Sequence, residues 1–237
     1  MAAAPLEVSG LCAGYGPIRI IEDISFTVRQ GDRLTVLGRN GMGKTTLLAT
    51  LMGLSTRHAG RISIGGQEIS ARRTSARAGL GIGYVPQTRD IFPSLTVEEN
   101  LRTGLKGRPA SALAEAYEMF PRLRERRRNF GMQLSGGEQQ MLSMARTLLG
   151  KPSILLLDEP LEGLAPVICD ELMELLSRLA ATNAVTIILV EQQIERALTF
   201  ANSVMVMERG RQSWSGPPEI LRSDQALVDR LIGVGIR

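Results

Sequence analysis

Sixteen residues, Arg33 to Leu48, constrain this chain more than any other stretch: RLTVLGRNGMGKTTLL. A short apolar run reads as a buried strand, three glycines follow, then Lys-Thr-Thr opens an apolar helical pattern. Gly38 to Thr45 fits G-x-x-x-x-G-K-[ST] in the strand-loop-helix setting that a phosphate-binding loop requires. Glycines let successive backbone N–H groups turn towards one anion, where a Cβ would obstruct the approach. The helix behind them adds its unpaired amides and the positive end of its dipole. A Gly-rich turn that merely caps a helix is the alternative, and it gives no reason for Lys44-Thr45.

Around this stretch the chain reads as one α/β domain. Of its residues, 43% are hydrophobic and 22% charged, ordinary for a globular protein with a real interior. No apolar run approaches the ~18 residues that span a bilayer, so an integral membrane protein is not expected. The start, Met1 to Pro5, lacks a basic flank and an apolar core, so no signal peptide is expected. Cys12 and Cys169 show no C-x-x-C spacing, and two reduced, buried thiols are the plain reading. A net charge of +4 singles out neither nucleic acid nor anionic lipid.

Leu6–Leu11, Ile18–Val28, Arg61–Ile64 and Ile82–Val85 read as strands. Ala13 to Pro17 reads as a turn displaying Tyr15, and Thr56 to Gly60 as a loop. From Thr88 to Gly150 the texture turns helical. Thr96 and Glu99 form a capping box for a helix to about Leu105. A second helix spans Ala110 to about Arg128, broken near Pro121, and a third spans Ser135 to Leu149. The arginines between 122 and 128 read as a solvated face. Ile154–Leu157 has no alternation, as befits a central parallel strand covered on both faces. Pro166–Ala181 is an amphipathic helix with Val167, Leu172, Leu175, Leu176 and Leu179 inward. Ala184–Val190 is the next buried strand and Gln193–Ala201 the next helix. Val204–Met207 and Gln212–Ser215 close the sheet, and one or two short helices follow. Strands alternating with helices on either side of a helical insertion predict a parallel core sheet.

Two further motifs carry chemistry. Leu134-Ser135-Gly136-Gly137-Glu138 holds a Ser-x-x-Glu capping box. Glycines at the first two helical positions are poor for a helix, but they bare backbone amides for an anion. Ile154 to Pro160, ILLLDEP, ends a strand in two carboxylates, which are costly to bury unless a cation or a proton-transfer role occupies them.

With these motifs in order, and with Gln87 at a strand end between them, the chain resembles the ATP-binding cassette (ABC) family over essentially its whole length. The stretches Gly83–Gln87, Ile91–Asn100 and Glu162–Pro166 resemble more closely the ATPase subunits of bacterial importers for branched-chain amino acids and related amides such as urea. The resemblance implies a P-loop NTPase (RecA-like) α/β core with a parallel central sheet and an antiparallel β subdomain. Core and β subdomain would occupy about 1–87 and 151–237, and an inserted α-helical signature subdomain about 88–150.

It also implies ATP and Mg²⁺ as cofactors and assigns roles. Tyr15 would stack on adenine. Gly38, Arg39, Asn40, Gly41, Met42, Gly43, Lys44, Thr45 and Thr46 would hold the triphosphate. Thr45, Gln87 and Asp158 would serve the metal, and Glu159 would be the general base. Gln87 would also reach the attacking water. Ser135, Gly136, Gly137 and Glu138 would meet the nucleotide of a second cassette in a head-to-tail dimer, whether a homodimer or a heterodimer. A separate permease, and through it a substrate-binding protein, would be the other partners, with the chain on the cytoplasmic face of the membrane and no nucleic acid involved.

Two positions depart from the wider family. Val190-Glu191-Gln192-Gln193 stands where a histidine is usual, and Ala165 where an aspartate is usual. The importer subfamily commonly shows both changes, so they are not read as inactivation. Gln192, or Gln193 one register on, is expected to donate to the γ-phosphate in the histidine's place. A soluble ABC ATPase of the iron–sulfur assembly type and a slowly hydrolysing nucleotide-gated clamp are the competing functions.

Overall fold

A computed structural model describes residues 4–182 and 185–233. Strands β1 (Leu6–Tyr15), β2 (Ile18–Val28), β3 (Arg33–Leu37), β4 (Thr56–Ile64) and β5 (Gln67–Glu68) come first. β6 (Ile82–Val85), β7 (Ile154–Asp158), β8 (Thr186–Val190), β9 (Ser203–Glu208) and β10 (Arg211–Gly216) follow. The helices are α1 (Lys44–Met52), α2 (Thr74–Gly79), α3 (Val97–Thr103), α4 (Leu113–Met119) and α5 (Pro121–Glu125). Then come α6 (Gly136–Leu149), α7 (Pro166–Ala181), α8 (Ile194–Phe200), α9 (Pro218–Ser223) and α10 (Gln225–Leu231).

Two sheets form. One is antiparallel, in the order β2-β1-β4-β5; the other runs β10-β9-β3-β8-β7-β6. In the second, β9, β3, β8, β7 and β6 are parallel, and β10 is antiparallel to β9. Parallel strands need crossovers, and the helices that supply them cover both faces, so β7 and β8 are buried along their whole length and aliphatic from Ile154 to Leu157 and from Ile187 to Val190. Leu155, Leu157, Ile187 and Leu189 face the core shared with α3–α7. Ile154, Leu156, Ile188 and Val190 face the core shared with α1 and the antiparallel sheet. Because the carboxyl ends of β3, β8, β7 and β6 share one edge, the loops that follow them converge there.

Several local expectations are corrected. β1 continues through Ala13, Gly14 and Tyr15, and β4 already begins at Thr56, because Gly14 pairs with Thr56 and Ala13 with Arg57. A loop-like composition was overridden by a partner strand. Val167 is 62% exposed. The buried stripe of α7 includes Ile168, Leu172, Leu175 and Leu176. Leu172 follows Ile168 by four, and Leu175 and Leu176 follow Leu172 by three and four, which keeps one face, and Val167 falls off it. Cys12 is only half-buried, while Cys169 is buried. The helix expected over Ala110 to about Arg128 does break beside Pro121, at Phe120, but it starts as a 3₁₀ turn and ends earlier, at Glu125. α2 had no signal in the pattern. Ala184, expected to start β8, lies outside the described residues.

Candidate functional site

The site grows from the end of β3. Gly38 takes φ 146°, and a Cβ there would lie 2.4 Å from the Met207 carbonyl oxygen of β9. Gly43 takes φ 95° as the residue before α1, and its Cβ would meet Ile21 Cγ2 at 2.7 Å. Only glycine fits either place. Lys44, 4% exposed, curls under the loop and donates to the carbonyl oxygens of Gly38 (2.8 Å) and Arg39 (3.2 Å). Thr46 is buried, and Arg39, Asn40 and Gly41 are exposed. Met42 Sδ accepts from Arg209 N at 3.1 Å, which ties the loop to the β9–β10 turn.

β7 delivers the two carboxylates to this loop. Asp158 is fully buried; Thr45 Oγ1 donates to its Oδ1 at 3.1 Å and the Tyr84 hydroxyl to its Oδ2 at 3.2 Å. Burial pushes the Asp158 carboxyl above its ordinary range, against the pull of those two donors. Burial, then the neighbouring Asp158 carboxylate, pushes the Tyr84 phenol up as well. Glu159 follows at φ 49°, a left-handed conformation costly for a residue with a Cβ, and its N–H donates to Val190 O at 2.9 Å.

The Glu159 carboxylate is where four strand ends meet. Its Oε1 lies 3.3 Å from Lys44 Nζ. Its Oε2 accepts from Gln87 Nε2 at 3.4 Å, after β6, and from Gln192 Nε2, after β8. Gln87 also donates to Glu162 Oε2 at 2.5 Å. A cleft of 360 Å³ opens here, lined by Ile20, Asn40, Gly41, Gly43, Lys44, Thr45, Thr46, Gln87 and Glu159. Tyr15 stands at the end of β1, 45% exposed.

Ser135 to Glu138 lie apart from that cleft, at the start of α6. The capping box is formed: Glu138 N donates to Ser135 Oγ at 3.4 Å and Ser135 N to Glu138 Oε2 at 2.8 Å. Arg126 Nε pairs with Glu138 Oε1 at 3.4 Å and Arg122 Nη2 with Glu171 Oε1 at 3.7 Å, so two arginines of the basic segment have specific partners. Arg89 covers the helix start, its Nη1 2.9 Å from where a Gly136 Cβ would be.

Sequence reasoning missed Tyr84, Glu162 and Glu191. Glu191 carried a readable signal, since it follows the aliphatic run Ile187–Val190 just as Asp158 follows Ile154–Leu157. It is 3% exposed, and burial raises its carboxyl. Tyr84 carried none, because its target is a strand away. No group of three or more His, Cys, Asp or Glu side chains that could hold a metal occurs among the described residues. A buried carboxylate beside a threonine hydroxyl suits Mg²⁺, which takes hard oxygen donors and few protein ligands.

With this geometry in view, the comparisons agree. The family described as ABC transporter matches residues 21–162. The high-affinity branched-chain amino acid transport ATP-binding protein BraG of Pseudomonas aeruginosa is 41% identical over 201 residues, which is 83% of this chain and 86% of BraG. The probable branched-chain amino acid transport ATP-binding protein LivF of Archaeoglobus fulgidus is 35% identical over 233 residues, 97% and 99% of the two chains. A solved ATP-binding subunit of an ABC transporter superposes with a TM-score of 0.83 at 28% identity, covering 95% of this chain and 97% of its own. A bacterial cassette solved as a dimer gives 0.82 at 22% identity over 90% and 98%, a likeness of fold alone. The chain belongs to the ABC transporter family and is one of its ATPases.

Proposed function

We propose that this chain is the ATP-binding and ATP-hydrolysing subunit of a bacterial importer for branched-chain amino acids or related amides, seated on the cytoplasmic face of a separate permease. The convergence of Lys44, Gln87 and Gln192 on the Glu159 carboxylate, at the mouth of the phosphate loop, carries the reading. The names of BraG and LivF support the cargo class.

The loop amides of residues 38–46 and the Lys44 ammonium bind the triphosphate, and Tyr15 offers its ring face to adenine. Thr45, Asp158 and Gln87 would hold Mg²⁺, which supplies charge neutralisation at the β- and γ-phosphates. Glu159 accepts a proton from a water as the water oxygen attacks the γ-phosphorus and the bond to the β-phosphate oxygen breaks. The Gln87 and Gln192 amides orient that carboxylate, and Gln192 also faces the γ-phosphate. Ser135, Gly136 and Gly137, with Glu138 holding their turn, bind the γ-phosphate held by a second cassette. Hydrolysis would remove that contact and let the pair part.

The test is uptake and turnover together. Cells lacking this chain should lose uptake of labelled leucine or urea, and the purified chain should copurify with two permease subunits and hydrolyse ATP. A chain that hydrolyses ATP without a membrane partner, with uptake intact, belongs with the non-transport ATPases.

A further inference from the structure

Glu191 is a buried carboxylate that the mechanism above leaves unused. Its Oε1 accepts from Leu161 N at 3.2 Å, in the loop after β7. Its Oε2 accepts from Gln192 N at 3.0 Å and Gln193 N at 3.4 Å, in the loop after β8. One side chain therefore spans two loops. A carboxylate withdrawn from water is costly unless hydrogen bonds replace its hydration, and here three backbone amides do so. Burial raises its carboxyl while those amides pull the other way.

The contacts close into a ring. From Glu191 the chain passes to Gln192, whose side-chain amide donates to Glu159. Glu159 accepts in turn from Gln87, and Gln87 donates to Glu162. Glu162 follows Leu161, whose amide returns to Glu191. The ring thus joins the ends of three neighbouring strands, β6, β7 and β8.

We propose that Glu191 is a positioning residue for ATP hydrolysis: it locks the backbone at 161 and at 192–193 so that the Gln192 amide is held against Glu159. The inference rests on the reading of Glu159 and Gln192 given under Proposed function. The residue type follows from the geometry. Two acceptor oxygens serve two loops. A glutamine has one acceptor, and its NH₂ would face an N–H on the other side. An aspartate is one methylene shorter and reaches only one loop.

The experiment compares Glu191→Gln, Glu191→Asp, Gln192→Ala and the double variant Glu191→Gln/Gln192→Ala with the parent. Turnover, ATP affinity and amide hydrogen exchange are measured on each purified chain. Glu191→Gln should lower kcat about tenfold, the rate equivalent of one lost hydrogen bond to a charged group. ATP affinity should stay within about twofold, because among the described residues the Glu191 carboxylate is hydrogen-bonded to Leu161, Gln192 and Gln193 and to no residue of the phosphate loop; coupled residues lose their energies together only once. Exchange should quicken at Leu161, Gln192 and Gln193 and stay unchanged at Gly41 to Thr45. The double variant should be no slower than the slower single one. A purely structural role would instead lower ATP affinity with kcat, or give losses that add. Either result, or parental turnover in Glu191→Gln, overturns the proposal. If Glu191→Gln does not fold, Glu191→Asp carries the same expectations. If Gln192→Ala turns over at the parental rate, the reading of Gln192 fails instead. Exchange at Leu161 then decides whether Glu191 still clamps the two loops.

Discussion

Lys44 Nζ stands 3.3 Å from Glu159 Oε1, and the two side chains are 4% and 6% exposed. The cation of the phosphate loop and the carboxylate after β7 are therefore one buried pair. Removing one member of such a pair leaves the other charged and uncompensated, at a cost of about 3–5 kcal/mol. Lys44→Ala should lose ATP binding and about 3 kcal/mol of stability. Adding Glu159→Gln should recover much of that stability, read by urea unfolding of the four proteins. Strictly additive losses would show that the pair is not coupled.

Gln192 is the second test. Its side-chain amide reaches the Glu159 carboxylate, whereas Gln193 is the residue before α8. Gln192→Ala should slow turnover about 10- to 100-fold, the equivalent of a donor lost from a charged acceptor. Gln192→Glu should be worse, because it sets a like charge beside Glu159 and the phosphate. Gln193→Ala should stay near the parental rate. Equal effects at both positions would mean that the side-chain amide is not what matters.

Much of this was readable without coordinates where the signal was local. The phosphate loop, the capping boxes at Thr96 and Ser135 and the limits of α7 depend on neighbours in the chain. What escaped depends on partners distant in sequence. The Tyr84 hydroxyl meets Asp158 because β6 lies beside β7. Thr56 to Gly60 becomes strand because β1 pairs with it. Glu191 acquires its meaning only when the loop containing Leu161 packs on it. Val167 misled because its apolar type was read ahead of its angular place on α7.

The permease should dock beside Gln87. Ile91 packs inward on the helical core, whereas Phe92 is 47% exposed. The Phe92 backbone is pinned by Asn100 at 2.8 and 3.0 Å, and its ring lies 5.1 Å from the Arg146 guanidinium carbon. A ring held this firmly and left open suits a partner rather than the core. Phe92→Asp should abolish association with the permease in detergent pull-down while sparing the basal ATPase rate. Loss of folding instead would assign Phe92 to the core.

Glu115 gives a pH test away from the site. Hydrogen bonds from Arg108, then Lys151, lower its carboxyl to about 2. A depressed carboxylate contributes stability that is present above its unfolded value of about 4.3 and lost as pH falls towards 2. The pair is exposed enough to be screened, so the contribution is less than about 1 kcal/mol. Glu115→Gln should therefore cost stability at pH 7 and almost nothing at pH 2, by urea unfolding at each pH. Equal losses at both would point to packing rather than charge.

The central claim is that Glu159 takes the proton from the attacking water, and single-turnover hydrolysis by purified Glu159→Gln tests it most directly. Turnover should fall by roughly two to four orders of magnitude, while ATP affinity, measured on the same preparation, stays near the parental value. Parental turnover with ATP bound would contradict the account and remove Glu159 from that role.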